Sequence, residues 1–331
     1  VRLSRGLGDV YKRQALVSGD FNGDSYADLV IGAPYQDVGE LVDAGSILVL
    51  LGGATGLSSL NAMEFHQDTD GVPGANEVGD LWGNSLASAD FNGDGYDDVI
   101  VGAPGESIGV IENAGAFTVM FGSEQGLNAD GSILFHQGTP GIPGGPEEGD
   151  HWAETLTTGD FDGDGYSDLA VGNPDESIGT KPFTGAVTLL YGWEAGFEIS
   201  KSKLFHQGSP KMAGGNEPND KWGSVLETGD FDGDGFHDLA IGTPNESIGS
   251  ILEAGAVTFV YGSSTGLDGR GSRLFHQNTS RVPGGSELAD HWGDSIMSAD
   301  LNADGRSDVL VSSSAESIGT AYDTGFMVLL K

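Results

Sequence analysis

The sequence predicts an all-β fold, a β-propeller of four-stranded antiparallel blades, and three observations carry that expectation. The 331-residue chain repeats itself every 70 residues, with acidic strings beginning at Asp20, Asp90, Asp160, Asp230 and Asp300. Each interval holds four short runs rich in Val, Ile, Leu and aromatic residues, bounded by Gly, Pro and Asn, which is how strands and turns read. No stretch of helical length carries apolar residues at the 3.6-residue period. Four strands per repeat suit a blade, because radial packing hides sheet edges; a solenoid is the alternative, but its coils are usually much shorter.

The fourth repeat shows the elements in order. WGSVLETGD leads into the acidic loop as a first strand, DLAIGTP follows as a second, NESIG turns the chain, AVTFVYG is a third strand and RLFHQ a fourth. The landmarks keep register: Trp82, Trp152, Trp222 and Trp292 stand eight residues before the acidic string, and His66, His136, His206 and His276 stand 24 before it. The blades are therefore expected at 15–66, 67–136, 137–206, 207–276 and 277–331, the last incomplete because Lys331 falls in a third strand. Residues 1–14, VRLSRGLGDVYKRQ, hold four of the 14 cations and put Lys12 where Trp is due, so they read as a non-native leader.

Composition narrows the function. Fifty acidic against 14 basic residues give a formal charge of −36, and no Lys or Arg occurs from Ala15 to Thr180. Such a chain is repelled by phosphate backbones, which excludes nucleic acid as a partner. The longest apolar runs, such as ILVLL at 47–51, are far too short to insert in a membrane as a helix. With no cysteine, disulfides and thiolate chemistry are absent. Something other than basic side chains must neutralise the carboxylates.

The acidic loops supply the candidate. Oxygen ligands at positions 1, 3, 5, 7 and 9 of a tight loop converge on one point, and carboxylates held that close call for a hard cation; calcium fits. The ligand sets are Asp20, Asn22, Asp24, the Tyr26 carbonyl and Asp28; Asp90, Asn92, Asp94, Tyr96 and Asp98; Asp160, Asp162, Asp164, Tyr166 and Asp168; Asp230, Asp232, Asp234, Phe236 and Asp238; and Asp300, Asn302, Asp304, Arg306 and Asp308. Up to five Ca²⁺ are expected, which would bring the formal charge from −36 to −26. Position 12, where an EF-hand has Glu, is Ile31, Val101, Val171, Ile241 or Val311, so the loop joins two strands. Acidic turns without metal are the plainer reading of one such loop; five in register favour the ion. Ser25 replaces Gly at position 6, which costs up to about 1 kcal/mol if a positive φ is required, so the first site is expected to be weaker. Arg306 at position 7 adds a cation near the fifth.

Histidine and glutamate invite a catalytic reading, yet an active site is normally built once and these residues recur in every repeat. His66, His136, His206 and His276 are expected to make structural hydrogen bonds, and Glu106, Glu176, Glu246 and Glu316 of the ESIG strings to cap their own turns. His151, His291 and Trp193 break the repetition. No nucleophile elbow, phosphate loop or zinc-type His pair is present in the sequence, so the segment itself reads as non-enzymatic.

Runs such as WGSVLETGDFDGDGFHDLAIGTP and GAVTFVYGSSTGL resemble the FG-GAP repeat of the integrin α-subunit N-terminal propeller, over residues 15–331. The GAP element stands at 32–34 and 102–104 and becomes GNP, GTP and SSS in later repeats. The resemblance implies a ring of seven blades of which five are present, an adhesion role and an extracellular or cell-surface location, with a protein or glycan as ligand. A five-bladed ring is the alternative architecture. The alternative function is the propeller of a secreted hydrolase or lyase of the phospholipase or polysaccharide-degrading type. The long links such as GTPGIPGGPEEGDHW lie opposite the calcium loops and suit recognition.

Overall fold

A computed structural model describes residues 15–317 and 325–330; the predicted leader at 1–14 lies outside them. The chain is all-β. The first repeat forms β1 (Leu16–Gly19), β2 (Asp28–Ala33), β3 (Ser46–Leu51) and β4 (Ser58–Phe65). The second forms β5 (Ser85–Ala89), β6 (Asp98–Ala103), β7 (Ala116–Phe121) and β8 (Asn128–Phe135). The third has β9 (Thr155–Gly159), β10 (Asp168–Asn173), β11 (Ala186–Leu190), a small hairpin β12 (Gly192–Trp193) and β13 (Gly196–Phe197), a 3₁₀ turn at Ile199–Lys201, and β14 (Lys203–Phe205). The fourth has β15 (Val225–Gly229), β16 (Asp238–Thr243), β17 (Ala256–Val260) and β18 (Arg273–Phe275); the fifth has β19 (Ser295–Ala299), β20 (Asp308–Ser313) and β21 (Phe326–Leu330).

Four antiparallel sheets run in chain order, β1-β2-β3-β4, β5-β6-β7-β8, β9-β10-β11-β14 and β15-β16-β17-β18, and a three-stranded sheet β19-β20-β21 follows. These are propeller blades. Register is constant between them: Val101 opposes Thr118, Val171 opposes Thr188 and Ile241 opposes Thr258. Because blades stack face to face, the second strands β6, β10 and β16 are buried at every residue, which is why they read as near-continuous apolar runs.

The first strands pack against one another in series, β1, β5, β9, β15 and β19, linked by a ladder of hydroxyls 70 residues apart. Ser88 Oγ donates to the Ser18 carbonyl, Thr158 to Ser88, Thr228 to Thr158 and Ser298 to Thr228, at 2.9, 3.4, 2.8 and 2.6 Å. Small β-branched or hydroxyl residues at this position let neighbouring strands approach while satisfying carbonyls that no strand partner could reach.

Blade-to-blade packing also explains the tryptophans. Trp82, Trp152, Trp222 and Trp292 are all 0% exposed. The Trp222 backbone N–H donates to the Thr184 carbonyl of the preceding blade at 3.0 Å. Beside it Gly185 sits at φ +81, and a Cβ there would lie 2.1 Å from the Trp222 carbonyl oxygen. Only glycine serves at that contact.

The third blade departs from the plan where its sequence reads YGWEAGFEI. Its hairpin swings Phe197 onto the second blade, 5.3 Å from the Phe91 ring and 6.4 Å from Phe117. Trp193, at the hairpin's tip, remains exposed.

Candidate metal centres in the first connections

All five acidic strings join a blade's first strand to its second, and the position-12 residues fall in that second strand as expected. Within each loop the position-1 carboxylate organises the turn. Asp160 accepts from the backbone N–H groups of Gly163, Asp164 and Gly165 at 2.7, 3.1 and 3.0 Å, and Asp230 repeats this with Gly233, Asp234 and Gly235. Asp20, Asp90 and Asp300 hold the N–H groups of positions 5 and 6 in the same way. The curl this imposes needs left-handed backbone at positions 4 and 6, as at Gly163 (φ 73) and Gly165 (φ 92). Ser25 takes φ 69, the positive value on which its expected strain depends. Position 4 carries the same requirement, and Ala303 meets it at φ 58.

The position-9 carboxylates have a second task. Asp98, Asp168 and Asp238 are buried, each accepting from the position-2 N–H and from the glycine N–H after the third strand, as in Asp168 with Phe161 and Gly192, both at 2.8 Å. Each oxygen keeps a lone pair for a further partner. Burial pushes Asp98, Asp168 and Asp238 up to about 7, against those backbone hydrogen bonds. Burial and then the neighbouring Asp164 raise Asp162, and burial and Asp234 raise Asp232. A cation held among these oxygens would reverse the direction.

The carboxylates converge most closely where position 3 is Asp. Oxygens of Asp160, Asp162 and Asp168 lie within 4.8 Å of one another, as do those of Asp230, Asp232 and Asp234. The donor set is all oxygen, with left-handed turns allowing a tight wrap, so it fits a hard divalent ion. With Asn at position 3, the side chain bonds within its loop: Asn22 to Asp24, Asn92 to Asp94, and Asn302 to both oxygens of Asp308.

Position 7 proved more informative than its carbonyl. In three of the loops the side chain there lies over the loop of the preceding blade, Tyr96 against Gly23, Phe236 against Gly163 and Arg306 against Gly233. Arg306 therefore places its cation beside the fourth loop, where it partly offsets the rise that burial and Asp234 impose on Asp232. Adjacent loops are tied by backbone bonds, Asp97 N to the Asp20 carbonyl and Ser307 N to the Asp230 carbonyl, at 3.1 and 2.7 Å.

On the opposite face the repeated histidines are structural, as expected. His136, His206 and His276 each accept at Nδ1 from the N–H two residues on. The ESIG glutamates correct the sequence reading. Glu106, Glu176, Glu246 and Glu316 reach the residues that follow the last strand of the preceding sheet and accept from the amides of Gln67, Gln137, Gln207 and Gln277, and Glu176 also accepts from the Asn173 amide of its own turn. Among the irregular positions, His151 Nδ1 lies 2.8 Å from Asp175 Oδ2, and Lys221 Nζ lies 2.8 Å from Asp175 Oδ1. A cleft of about 340 Å³ opens beside Asp162, lined by Tyr191, Lys201, Lys203, Ser264 and Thr265.

The family model described as FG-GAP repeat matches residues 13–50, 82–120, 152–190 and 222–260, segments that include the acidic loop and the three strands around it. The chain carries four FG-GAP repeats. It is similar to integrin alpha-PS5 of Drosophila melanogaster, 33% identical over 166 residues, which is 50% of this chain and 15% of that protein. It is also similar to phosphatidylinositol-glycan-specific phospholipase D of Bos taurus, 30% identical over 205 residues, 61% of this chain and 23% of that protein. The FG-GAP chain thus spans less than a quarter of the length of these curated relatives. A solved lectin of Agrocybe aegerita, described for its recognition of non-reducing terminal N-acetylglucosamine, shares the fold, with a TM-score of 0.51 at 14% identity over 97% of this chain and 67% of its own. The repeats and the blades make this an integrin-like FG-GAP propeller.

Proposed function

We propose that this FG-GAP propeller is a calcium-stabilised extracellular binding module that captures a protein or glycan. The observation that carries the reading is the convergence of three carboxylates in each of the third and fourth loops, on a chain with little basic charge to offset them. The five position-1, -3, -5, -7 and -9 sets, from Asp20 through Asp308, would hold the ions, and each blade would be one repeat. The ion would cross-link a loop whose carboxylates otherwise repel one another. The long links and ESIG turns of the opposite face would form the ligand surface, their irregular composition suiting recognition.

If calcium binds only the folded chain at 100 times its dissociation constant, each independent site adds about 2.7 kcal/mol. Chelation of a metal-loaded sample is expected to lower the melting temperature by well over 10 °C; an unchanged melting curve would sink the reading.

The similarity to a phospholipase D favours a second reading, the propeller of a secreted hydrolase. Sequence of the intact gene separates the two: a neighbouring catalytic domain supports the hydrolase.

A further inference from the structure

We propose that the buried cluster of Gln67, Asp80 and Glu106, between the first and second blades on the face opposite the acidic loops, is a divalent-cation site of a second kind. Three separate segments meet there. Gln67 follows β4, Asp80 ends the link to β5, and Glu106 lies in the turn between β6 and β7. Gln67 is 1% exposed, its backbone N–H fastened to Asn76 Oδ1 at 3.0 Å, and its Nε2 donates to Glu106 Oε2 at 2.5 Å. The Oε1 of that same buried amide has no hydrogen-bond partner among the described residues.

Asp80 is equally buried. Its Oδ2 accepts from the Glu77 N–H at 2.5 Å, and its Oδ1 is without a partner. The negative charges of Asp80 and Glu77 both bear on Glu106, and burial pushes Asp80 and Glu106 up to about 6 and about 7. From Ala15 to Thr180 the sequence contains no Lys or Arg that could answer them. Two carboxylates and an amide oxygen, buried together, make a hard all-oxygen donor set whose charge of two matches a divalent ion. The same Gln-to-Glu bond recurs at Gln137–Glu176 and Gln207–Glu246, and Oε1 of both glutamines is again without a partner.

The site differs from the acidic loops in what it joins. A loop ion would brace one blade's own turn, whereas this ion would bolt one blade to the next.

Crystals of the full chain grown in calcium chloride, measured for anomalous scattering, test the assignment position by position. A peak between Gln67, Asp80 and Glu106 is expected, and in Glu106→Gln that peak is lost while the loop peaks keep their height. Calcium bound per chain, measured after dialysis, falls by one ion in the same variant. Loop peaks with none in this cluster of the wild-type chain would overturn the proposal without needing any variant. So would unchanged calcium stoichiometry in Glu106→Gln accompanied by higher calcium-free stability at pH 8, which would mean that a proton, not a metal, neutralises Glu106. A peak in this cluster without loop peaks would support this site and refute the loop reading.

Discussion

The third and fifth repeats follow one plan, and their differences separate what the plan requires from what it tolerates. In the third, the Trp152 indole N–H donates to Thr188 Oγ1 at 3.2 Å; in the fifth, Val328 occupies the matching place and the Trp292 indole N–H has no partner among the described residues. Phe161 at loop position 2 is buried, whereas Leu301 is 64% exposed. Gly163 takes the left-handed turn freely, and Ala303 takes it under strain. Gly185 is pressed against the Trp222 carbonyl of the blade that follows it, a contact with no counterpart at Gly325 among the described residues, where a Cβ would find its nearest neighbour 3.7 Å away. Conserving the strands is thus enough to form the sheet. The loop and interface residues decide how tightly a blade's first turn curls and how firmly it holds a neighbour.

The widest gap between the two repeats is expected at the interface glycine. Gly185→Ala should cost about 3 kcal/mol, combining backbone strain with a steric clash, while Gly325→Ala should cost only about 1 kcal/mol. Equal losses in denaturant titrations would show that contact with the next blade is not what demands glycine.

A smaller, pH-dependent difference centres on His151. Its hydrogen bond to Asp175 raises its pKa, outweighing burial; at Asp175, burial is outweighed by the hydrogen bonds from His151 and Lys221, so its pKa falls. The histidine's contribution is fully present below its ordinary pKa of about 6.5 and disappears as pH rises through the raised value. The aspartate's contribution is present above its ordinary pKa of about 3.9 and fades as pH falls through the lowered value. His151→Gln should therefore cost about 1 kcal/mol near pH 5 to 6, after screening of a partly exposed pair, and almost nothing at pH 9. A pH-independent difference in unfolding free energy would contradict the pair.

Val328→Thr offers the Trp292 indole an acceptor in the fifth repeat and should gain about 1 kcal/mol, with Thr188→Val losing at least as much in the third. No change in thermal midpoint for either would mean that the indole finds its partner elsewhere. The smallest effect belongs to Ala303→Gly, which relieves the left-handed strain and should add under about 1 kcal/mol together with tighter calcium binding at the fifth loop. Thermal unfolding and calorimetric calcium titration of the chain with and without the substitution measure the two effects, and no change in either would rule the strain out.

Much of this was legible in one dimension. The 70-residue period located all five first connections, and alternation of apolar runs with Gly, Pro and Asn located their strands. Spacing within DxDxDGxxD also marked position 6 as a left-handed turn, because oxygen ligands two residues apart can converge only if the chain curls. These are local properties, determined by residues within a few positions of one another.

Contacts between blades were not legible in that way. The ESIG glutamates read as turn caps because a cap lies nearby in sequence, and Glu176 does accept from Asn173, but all four also have partners 39 residues away at Gln67, Gln137, Gln207 and Gln277. Arg306 read as belonging to its own loop, yet it covers Gly233 of the one before. Trp193 read only as a break in the repetition, yet the hairpin it belongs to packs Phe197 into the neighbouring blade. By itself, the sequence determined the strands, their order and the oxygen-rich loops, since each depends on short-range periodicity and backbone geometry. The tertiary structure alone decided which side chain faces which blade, because stacking repeats about an axis brings equivalent positions together at an angle and depth that no spacing along the chain encodes.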